Sequence, residues 1–373
     1  MTTVTRLVAL DLPAGDSFVA ALNDAWSHGH VVLPLDQRMP VGTRRRLAAE
    51  LGADEIVGVS GRDKVTDQTN DLVALQSDDA IVIATSGTSG RPKGVIHTHA
   101  SLRAHAVVVG ERLGLSAEDH WWLCLPPAHI GGFGVVSRSM HFGSRLSVAP
   151  PVDASAIADA VSQGANRTSV VPTLLARHDF GAFMTVLVGG SRSASLPENA
   201  VSTYGLTESC GGVVYDGVPL GGIDLRIVEG EIQLRSPTLA RSYRHGPLNL
   251  SDGWLRTGDL GQHRDGRLVV EGRGDDVIIT GGYKVWPHVV EQRLREHPLI
   301  ADVVVRGVPD AEWGSLVCAW AVPRTRTHAP TLDMLRGHVK ESLAEYCAPR
   351  RLVLVDDIPR STIGKVLTSE LPS

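Results

Sequence analysis

Residues 80–94 read Ala-Ile-Val-Ile-Ala-Thr-Ser-Gly-Thr-Ser-Gly-Arg-Pro-Lys-Gly, a β-branched run that passes directly into small and hydroxylated residues. The apolar run predicts a buried strand, and the residues after it predict a loop. Such a loop exposes backbone N–H groups and hydroxyls that can surround phosphate oxygens, and Lys93 adds a mobile cation. A flexible surface loop is the alternative, but Pro-Lys-Gly closing the loop after a buried strand disfavours it. The stretch therefore predicts a phosphate-binding site.

The loop departs from the Walker A pattern, GxxxxGK[ST], at two positions. Counting from Gly87, Pro92 stands where the second Gly is required, and Gly94 follows Lys93 in place of Ser or Thr. A P-loop phosphotransferase or NTPase is therefore kept only as an alternative, which release of ADP in place of AMP would favour.

Strand-like and helical patterns alternate on both sides of the loop, which favours an α/β architecture. Between residues 212 and 273, short alternating segments separated by Gly, Asp and Pro predict a small antiparallel β region. We therefore expect a large N-terminal domain of α/β layers with this β region (1–274), then a small α+β domain (276–373). The predicted strands outside the β region include 121–125, 169–171, 186–188, 302–305 and 317–322, and a helix is predicted at 334–343.

Composition narrows the class of protein further. The chain has 373 residues, of which 43% are hydrophobic and 21% charged, as in an ordinary globular protein of two or three domains. The net charge is −5 and no basic run is present, so no nucleic-acid partner is expected. Four separated cysteines without a CxxC pair argue against a disulfide framework or a zinc knuckle. No leader peptide or membrane span is recognised, so a cytoplasmic location is expected.

Four further motifs follow the loop in order: YGLTE at 204–208, GWLRTGD at 253–259, GRGDDVIITGGYK at 272–284 and PRSTIGK at 359–365. Together with residues 85–94, they resemble the signature motifs of the adenylate-forming superfamily of acyl-CoA synthetases, adenylation domains and luciferases. Only Ser89 departs from the loop signature, which has Thr there. The resemblance extends from about residue 81 to the C-terminus. It implies that a carboxylate attacks the α-phosphate of ATP to give an acyl-adenylate, with Mg²⁺ as cofactor and CoA as co-substrate.

The resemblance also assigns roles to the matched residues. Thr207, Glu208 and Lys365 are the catalytic candidates: Glu208 would bind Mg²⁺, and Lys365 would bridge the carboxylate and the phosphate. Purely structural roles are the alternatives: Asp259 could be a turn residue, Tyr204 a core aromatic and Lys365 a solvent-exposed residue of the tail. Phosphate binding is expected of Thr85, Ser86, Gly87, Thr88, Ser89, Gly90 and Lys93, and adenine or ribose binding of Gly189, Gly190, Tyr204, Gly205, Asp259 and Arg273.

In this superfamily the small C-terminal domain is mobile, and Asp275 matches its hinge residue. One orientation would bring Lys365 to the adenylation site. The other would bring residues 280–284, with Gly281, Gly282 and Lys284, against the pantetheine of CoA. The two glycines would permit a close backbone approach.

Within the superfamily, this chain resembles the o-succinylbenzoate-CoA ligases of menaquinone biosynthesis, especially their short actinobacterial versions. The segments that carry this resemblance are residues 125–133 (LPPAHIGGF) with Arg138, and residues 204–220. The implied acid has two carboxylates and an aromatic ring. One carboxylate is activated, so the other needs a cation or hydrogen-bond donors. His129 and Arg138 are the candidates.

Ser209 and Gly211 complete the predicted acyl pocket. Arg138 could alternatively be a helix-surface arginine, and His129 a gate residue or a core histidine. His97 and His99 resemble a metal pair only superficially, because no third ligand is near in sequence, and a structural or supporting role is expected of them.

The rival functions are a CoA ligase for another acyl or aryl acid, an adenylation enzyme that loads a carrier protein, and a non-catalytic binding protein. The last is disfavoured because the charged residues of the site are all present. The expected partners are a carboxylic acid, ATP and CoA, and a homodimer is left open.

Overall fold

The computed structural model describes residues 5–66, 71–86, 92–149, 151–189, 196–360 and 366–372. The chain forms two compact units. The second unit consists of Ile227–Ile232, Gly258–Gln262 and Val269–Ser373, and the first contains the remaining residues. The predicted domain boundary at Asp275 falls within the second unit and remains a prediction.

Strands supply most of the regular structure. In chain order they are β1 (Leu7–Asp11), β2 (Val31–Pro34), β3 (Glu55–Gly58), β4 (Gly61–Lys64), β5 (Asp79–Ser86), β6 (Pro92–Thr98), β7 (His120–Leu123), β8 (Arg145–Val148), β9 (Arg167–Val170), β10 (Thr185–Gly189), β11 (Ala200–Leu206), β12 (Gly211–Tyr215), β13 (Val218–Pro219), β14 (Asp224–Val228), β15 (Glu231–Arg235), β16 (Ser242–Tyr243), β17 (Leu250–Ser251), β18 (Trp254–Arg264), β19 (Arg267–Arg273), β20 (Ile278–Thr280), β21 (Tyr283–Val285), β22 (Ile300–Asp310), β23 (Gly314–Pro323) and β24 (Arg351–Leu354).

Helices connect these strands. They are α1 (Asp16–Ser27), α2 (Val41–Glu50), α3 (His99–Leu113), α4 (Ile130–Phe142), α5 (Ala154–Ser162), α6 (Pro172–Leu175), α7 (Pro287–Arg295) and α8 (Leu332–Lys340). The helix predicted at 334–343 is thus observed with a slight shift, and the strands predicted outside the β region are confirmed. No helix in the described parts of the chain is long and apolar enough to cross a membrane.

Two seven-stranded sheets form the first unit. One has the order β16-β6-β5-β2-β1-β3-β4, and the other the order β13-β12-β11-β10-β9-β7-β8. In the second sheet β7 to β11 pair in parallel, and β12 and β13 add antiparallel strands at one edge. Strands of this kind, linked by helices, are those of a layered α/β fold, as predicted. A separate small sheet, β14-β15-β18-β17 with β19 beside β18, accounts for most of the predicted β region, whereas β12, β13 and β16 of that region join the two large sheets.

Helices α3 and α4 lie between the two large sheets, because α3 packs on β6 and α4 while α4 packs on β7, β9 and β12. Helix α3 begins where the Thr98 hydroxyl accepts a hydrogen bond from the N–H of Ser101 and the Ser101 hydroxyl accepts one from the N–H of Thr98. Such a cap is worth about 1 kcal/mol. Helix α3 ends at Gly114, which has a left-handed backbone (φ 63°). The capped helix therefore begins directly at the end of β6, the strand that follows the phosphate loop.

The second unit has a core of its own. Strands β22 and β23 pair antiparallel, β24 adds a parallel strand, and α7 and α8 cover one face. Val290, Leu294, Val303, Leu335 and Val339 are fully buried there. This is the α+β arrangement that the sequence predicted for the C-terminal domain.

Candidate active site

The described residues of the phosphate-loop motif, Thr85, Ser86 and Pro92 to Gly94, lie on the two paired strands of a β-hairpin. Strands β5 and β6 are antiparallel, with Thr85 opposite Lys93 and Ser86 opposite Pro92. The Thr85 hydroxyl donates to the carbonyl oxygen of Lys93 at 3.4 Å. A Walker A loop requires a helix after the loop, and here a strand follows it. The hairpin therefore argues against the P-loop alternative.

Several predicted site residues lie outside the described residues and remain predictions. They are Gly87, Thr88, Ser89, Gly90, Gly190 and Lys365.

The YGLTE motif ends in a tight turn. Thr207, Glu208 and Ser209 form a single 3-10 turn after β11, and Cys210 and Gly211 reverse the chain with positive φ angles of 66° and 106°. The Ser209 hydroxyl accepts from the N–H of Leu206 at 2.8 Å and lies 2.9 Å from the carbonyl oxygen of Gly211. Ser209 is fully buried. Its hydroxyl is thus engaged in holding the turn that carries Glu208.

A buried histidine fixes the same turn from the first sheet. His97 on β6 donates from Nε2 to the carbonyl oxygen of Thr207 at 2.7 Å, and its Nδ1 lies 3.2 Å from the Ser101 hydroxyl. Burial lowers the pKa of His97 to about 4, so the imidazole is neutral at pH 7. Both ring nitrogens of His97 thus contact protein groups, and the imidazole supports the turn that carries Glu208.

Tyr243 connects the lysine of the loop with the glutamate of the turn. Its hydroxyl donates to Oε1 of Glu208 at 2.7 Å, and Nζ of Lys93 lies 5.3 Å from the centroid of its ring. The first contact is a charge-assisted hydrogen bond and the second a cation–π contact. Sequence reasoning missed Tyr243, because it belongs to a two-residue strand, β16, outside the five motifs.

Gly205 and Gly189 occupy the carboxyl-terminal ends of the parallel strands β11 and β10, the usual ligand-binding edge of such a sheet. A Cβ on Gly205 would lie 1.8 Å from the carbonyl oxygen of Gly211, so only glycine fits there. Gly189 pairs with Thr203, and Tyr204 follows on the same strand. The structure thus brings these three predicted adenine-site residues to one edge.

Arg138 is a buried cation on α4. Its side chain is 4% exposed, lies 4.8 Å from the ring centroid of Trp121, and donates from Nη2 to the Ser169 hydroxyl at 3.4 Å. Its Nε has no hydrogen-bond partner, and no carboxylate among the described residues pairs with the guanidinium. Burial lowers its pKa. The alternative of a helix-surface arginine is therefore excluded.

The Glu208 turn and the Arg138 helix are neighbours. Gly211 lies beside Ile130, the first residue of α4, and beside the ring of His105: a Cβ on Gly211 would be 3.8 Å and 3.7 Å from them. His105 donates from Nε2 to the carbonyl oxygen of Gly212 at 3.0 Å. Burial and the charge of Arg138 lower the pKa of His105 to about 3. The imidazole is therefore neutral and contributes a dipole, and Arg138 supplies the positive charge of this region.

His129 is held by a carboxylate that the sequence did not reveal. Its Nε2 lies 3.0 Å from Oδ2 of Asp36, which is itself 4% exposed and bound by the guanidinium of Arg38 at 2.8 Å. Burial raises the pKa of Asp36, but hydrogen bonds from His129 and Arg38 outweigh it and hold that pKa well below its usual value. The ionised Asp36 therefore orients the imidazole at the N-terminus of α4.

In the second unit, Asp259 and Arg273 lie together as predicted. Nη1 of Arg273 is 3.3 Å from Oδ1 of Asp259, which is 8% exposed. A carboxylate fixed in this way can accept hydrogen bonds from two hydroxyls of a ribose.

The predicted hinge and CoA segment are also in the second unit. Asp275 lies in an exposed turn (Gly274–Asp276). Gly281 and Gly282 both have positive φ angles, 56° and 83°, and connect β20 to β21 in a two-residue hairpin turn. Lys284 is exposed on β21.

Glu208 is the residue that could bind magnesium, as a single carboxylate ligand. No group of three or more His, Cys, Asp or Glu side chains able to hold a metal occurs among the described residues. Glu208 is a single carboxylate with one oxygen bound by Tyr243 and the other available. Mg²⁺ in nucleotide sites takes one or two carboxylates plus phosphate oxygens. Glu208 therefore suits an ion that arrives with a triphosphate.

The family model described as AMP-binding enzyme matches residues 58–244, and the model described as AMP-binding enzyme C-terminal domain matches residues 289–365. This chain belongs to the AMP-binding enzyme family. The resemblance inferred from the five motifs is thereby confirmed.

Two relatives of this chain are named for the same acid. A probable 2-succinylbenzoate–CoA ligase of Mycobacterium tuberculosis (strain ATCC 25618 / H37Rv) is 36% identical over 96% of this chain and 96% of its own length. A 2-succinylbenzoate–CoA ligase of Bacillus thuringiensis is 31% identical over 78% of this chain and 69% of its own length.

Among solved structures, o-succinylbenzoate CoA synthetase from Bacillus subtilis, in complex with its acyl-adenylate intermediate, superposes with a TM-score of 0.86 at 25% identity. The match covers 100% of this chain and 89% of that one. The AMP-binding enzyme fold predicted from the sequence is therefore confirmed.

Proposed function

We propose that this AMP-binding enzyme is an ATP-dependent o-succinylbenzoate–CoA ligase. In the first step a carboxylate oxygen of the acid attacks the α-phosphorus of ATP and pyrophosphate leaves. In the second step the sulfur of CoA attacks the acyl carbon, AMP leaves, and the thiol proton passes to solvent. The products are o-succinylbenzoyl-CoA, AMP and pyrophosphate. The similarity to ligases named for this acid supports the proposal.

The observation that carries the choice of acid is the buried guanidinium of Arg138 without an anionic partner. A buried cation without a counter-ion is costly, and its retention is explained if a ligand supplies the anion. o-Succinylbenzoate has one carboxylate to react and a second, on the ring, to bind. Arg138 beside the Ser169 hydroxyl offers a charge and a polar neighbour for that second group, and Trp121 offers an apolar face nearby.

The first step requires two anions to approach each other, so the site must neutralise charge and hold an in-line geometry. Lys93 on β6 is assigned to the phosphates, and Glu208 to Mg²⁺. The bound ion would neutralise phosphate charge. Lys365 is assigned to the developing charge at the reacting phosphate, and a preorganised cation of this kind is worth roughly 3–4 kcal/mol.

The remaining residues divide between nucleotide and CoA. Asp259 with Arg273 is assigned to the ribose, and Tyr204 to the adenine. Asp275 is assigned as the hinge of a mobile C-terminal domain, and the Gly281-Gly282 turn with Lys284 to the pantetheine of CoA.

We also propose a cytoplasmic location, because ATP and CoA are substrates and the four cysteines are unpaired in the structure. A homodimer is a further proposal, to be tested by light scattering of the purified protein.

The decisive experiment is pyrophosphate exchange into ATP with a panel of acids, followed by addition of CoA. The panel contains o-succinylbenzoate, 4-oxo-4-phenylbutanoate (the same acid without the ring carboxylate), benzoate and succinate. Exchange with o-succinylbenzoate and formation of its CoA thioester are expected. If exchange occurs only with another acid, that acid is the substrate. If the acyl group is transferred to a carrier protein in preference to CoA, the carrier protein is the acceptor. No exchange with any acid would overturn the proposal.

A further inference from the structure

We infer that Tyr243 is a positioning residue that orients Glu208 for the metal and keeps Lys93 and Glu208 from forming a direct ion pair. The inference rests on the proposed function, since it assumes that Lys93 meets phosphate and Glu208 meets Mg²⁺.

One tyrosine contacts both a cation and an anion. Nζ of Lys93 lies 5.3 Å from the ring centroid of Tyr243, and the phenolic hydroxyl at the far end of the ring donates to Oε1 of Glu208 at 2.7 Å. No ion pair joins Lys93 to Glu208 directly in the described structure. The tyrosine thus contacts both charged groups without neutralising either of them, and it leaves Nζ and Oε2 for ligands.

The backbone around Tyr243 is fastened to both partners. Tyr243 is opposite Val95 on β6, the strand that carries Lys93. The N–H of Ala240, three residues before it, donates to the carbonyl oxygen of Glu208 at 2.8 Å. One short segment therefore spans from the loop strand to the glutamate turn.

Two arginines anchor this segment. Arg241 pairs with the buried carboxylate of Asp79, the first residue of β5, at 2.7 Å. Arg244 is 5% exposed and donates to the carbonyl oxygens of Leu51 and Val73. With both neighbours fixed, the ring has little freedom to leave its contacts with Lys93 and Glu208.

Such a spacer is useful because a direct ion pair between Lys93 and Glu208 would compete with the binding of phosphate and Mg²⁺. A lysine and a glutamate in direct contact attract each other, and that attraction must be broken before phosphate and Mg²⁺ can bind. A cation–π contact and one hydrogen bond are weaker and do not occupy all of the donors and acceptors. Preorganisation without charge pairing lowers the cost of binding.

The test is the Mg²⁺ dependence of pyrophosphate exchange in Tyr243→Phe, which removes the hydroxyl and keeps the ring. A hydrogen bond to a charged group contributes enough that the free Mg²⁺ for half-maximal exchange should rise about tenfold. The KM for the acid should stay unchanged. Ser242→Ala is the matched control: it removes the adjacent hydroxyl on the same strand, which has no hydrogen-bond partner, and its Mg²⁺ dependence should equal that of the wild type.

The spacer role has a test of its own in Tyr243→Leu, which removes the aromatic face as well. The half-maximal Mg²⁺ and the KM for ATP should both rise, because Lys93 can then reach Glu208. In a Lys93→Met background, most of this rise should vanish, since the competing cation is absent.

The possible outcomes are distinguishable. If the wild-type enzyme shows no exchange with any acid, the proposed function fails. If it is active but Tyr243→Phe has wild-type Mg²⁺ dependence, with an unchanged melting temperature, the inference about Tyr243 fails on its own. Equal effects of Tyr243→Leu with and without Lys93 would remove the spacer role and leave only the orientation of Glu208.

Discussion

His97 and Thr207 are joined by a 2.7 Å hydrogen bond from the imidazole Nε2 to the backbone carbonyl across 110 positions of sequence. The bond connects the strand after the phosphate loop with the turn that presents Glu208. Because its donor is a neutral imidazole in a fully buried place, the connection makes stability depend on pH.

The pKa values of His97 and His105 are lowered in the folded state to about 4 and about 3. In the unfolded chain both titrate near 6.5. Between these values the unfolded state binds protons that the folded state does not, so stability falls as pH drops from about 6.5 towards 4. Each histidine contributes a slope of about 1.4 kcal/mol per pH unit.

His97→Gln keeps a donor for the Thr207 carbonyl and removes one titration. Urea unfolding at pH 6, 5.5 and 5 should therefore show a shallower loss of stability in this variant, by about 1 kcal/mol per pH unit. An unchanged slope would mean that His97 is protonated in the folded protein.

Arg138→Met should weaken binding of the acid without lowering the stability of the folded protein. We expect the KM for o-succinylbenzoate to rise about 100-fold, since a charge-assisted pair is lost, with the KM for ATP unchanged. The acid without the ring carboxylate should be affected little. Stability should be unchanged or higher, because a buried cation without an anionic partner is replaced by an apolar side chain.

Arg167→Met is the matched control for a buried arginine. Arg167 is 3% exposed and donates to Asp119 at 2.6 Å and to Thr185 at 2.8 Å. Its loss leaves Asp119 buried and unpaired, so about 3–5 kcal/mol of stability should disappear. If thermal unfolding shows that Arg138→Met destabilises as much as Arg167→Met, the role of Arg138 is structural.

Lys365→Ala should reduce adenylation by about 100-fold or more, because the cation at the developing charge is lost. Transfer from preformed acyl-adenylate to CoA should be nearly unchanged. Lys284→Ala should show the reverse pattern. Single-turnover kinetics measures the two half-reactions separately. Equal loss of both in Lys365→Ala would contradict the assignment of two domain orientations.

Gly205→Ala should destabilise the protein by about 3 kcal/mol or more, since the added Cβ would meet the carbonyl oxygen of Gly211 at 1.8 Å. Activity should fall with it, because Gly211 ends the turn of Glu208. Gly42→Ala, inside helix α2 with no atom near the added Cβ, should instead gain up to about 1 kcal/mol. Chemical denaturation measures both. A tolerated Gly205→Ala would show that β11 and β12 can separate.

Features that depend on contiguous motifs could be predicted from the sequence alone. The strand before Thr85 and the family both follow from residues that are neighbours in sequence, whereas the shared site of Asp259 and Arg273 was implied only by the family resemblance. The small β region and the C-terminal α+β pattern were predictable for the same reason, because alternation and turn residues are local signals.

The residues that the sequence left undecided act through distant partners. Asp36 lies 93 positions before His129, and Tyr243 lies 35 after Glu208. Neither has a local pattern that marks it. A single arginine among apolar residues on α4 reads as a surface charge, and only the packing of α4 against β7, β9 and β12 makes Arg138 a buried one.

The order and identity of the motif residues thus determined the family, because each motif is a run of side chains and backbone groups that are adjacent along the chain. The tertiary structure decided which charges are buried, which are paired and which are held apart. Burial and pairing depend on sheet register and helix packing, and these join segments whose separation in sequence carries no signal of their contact.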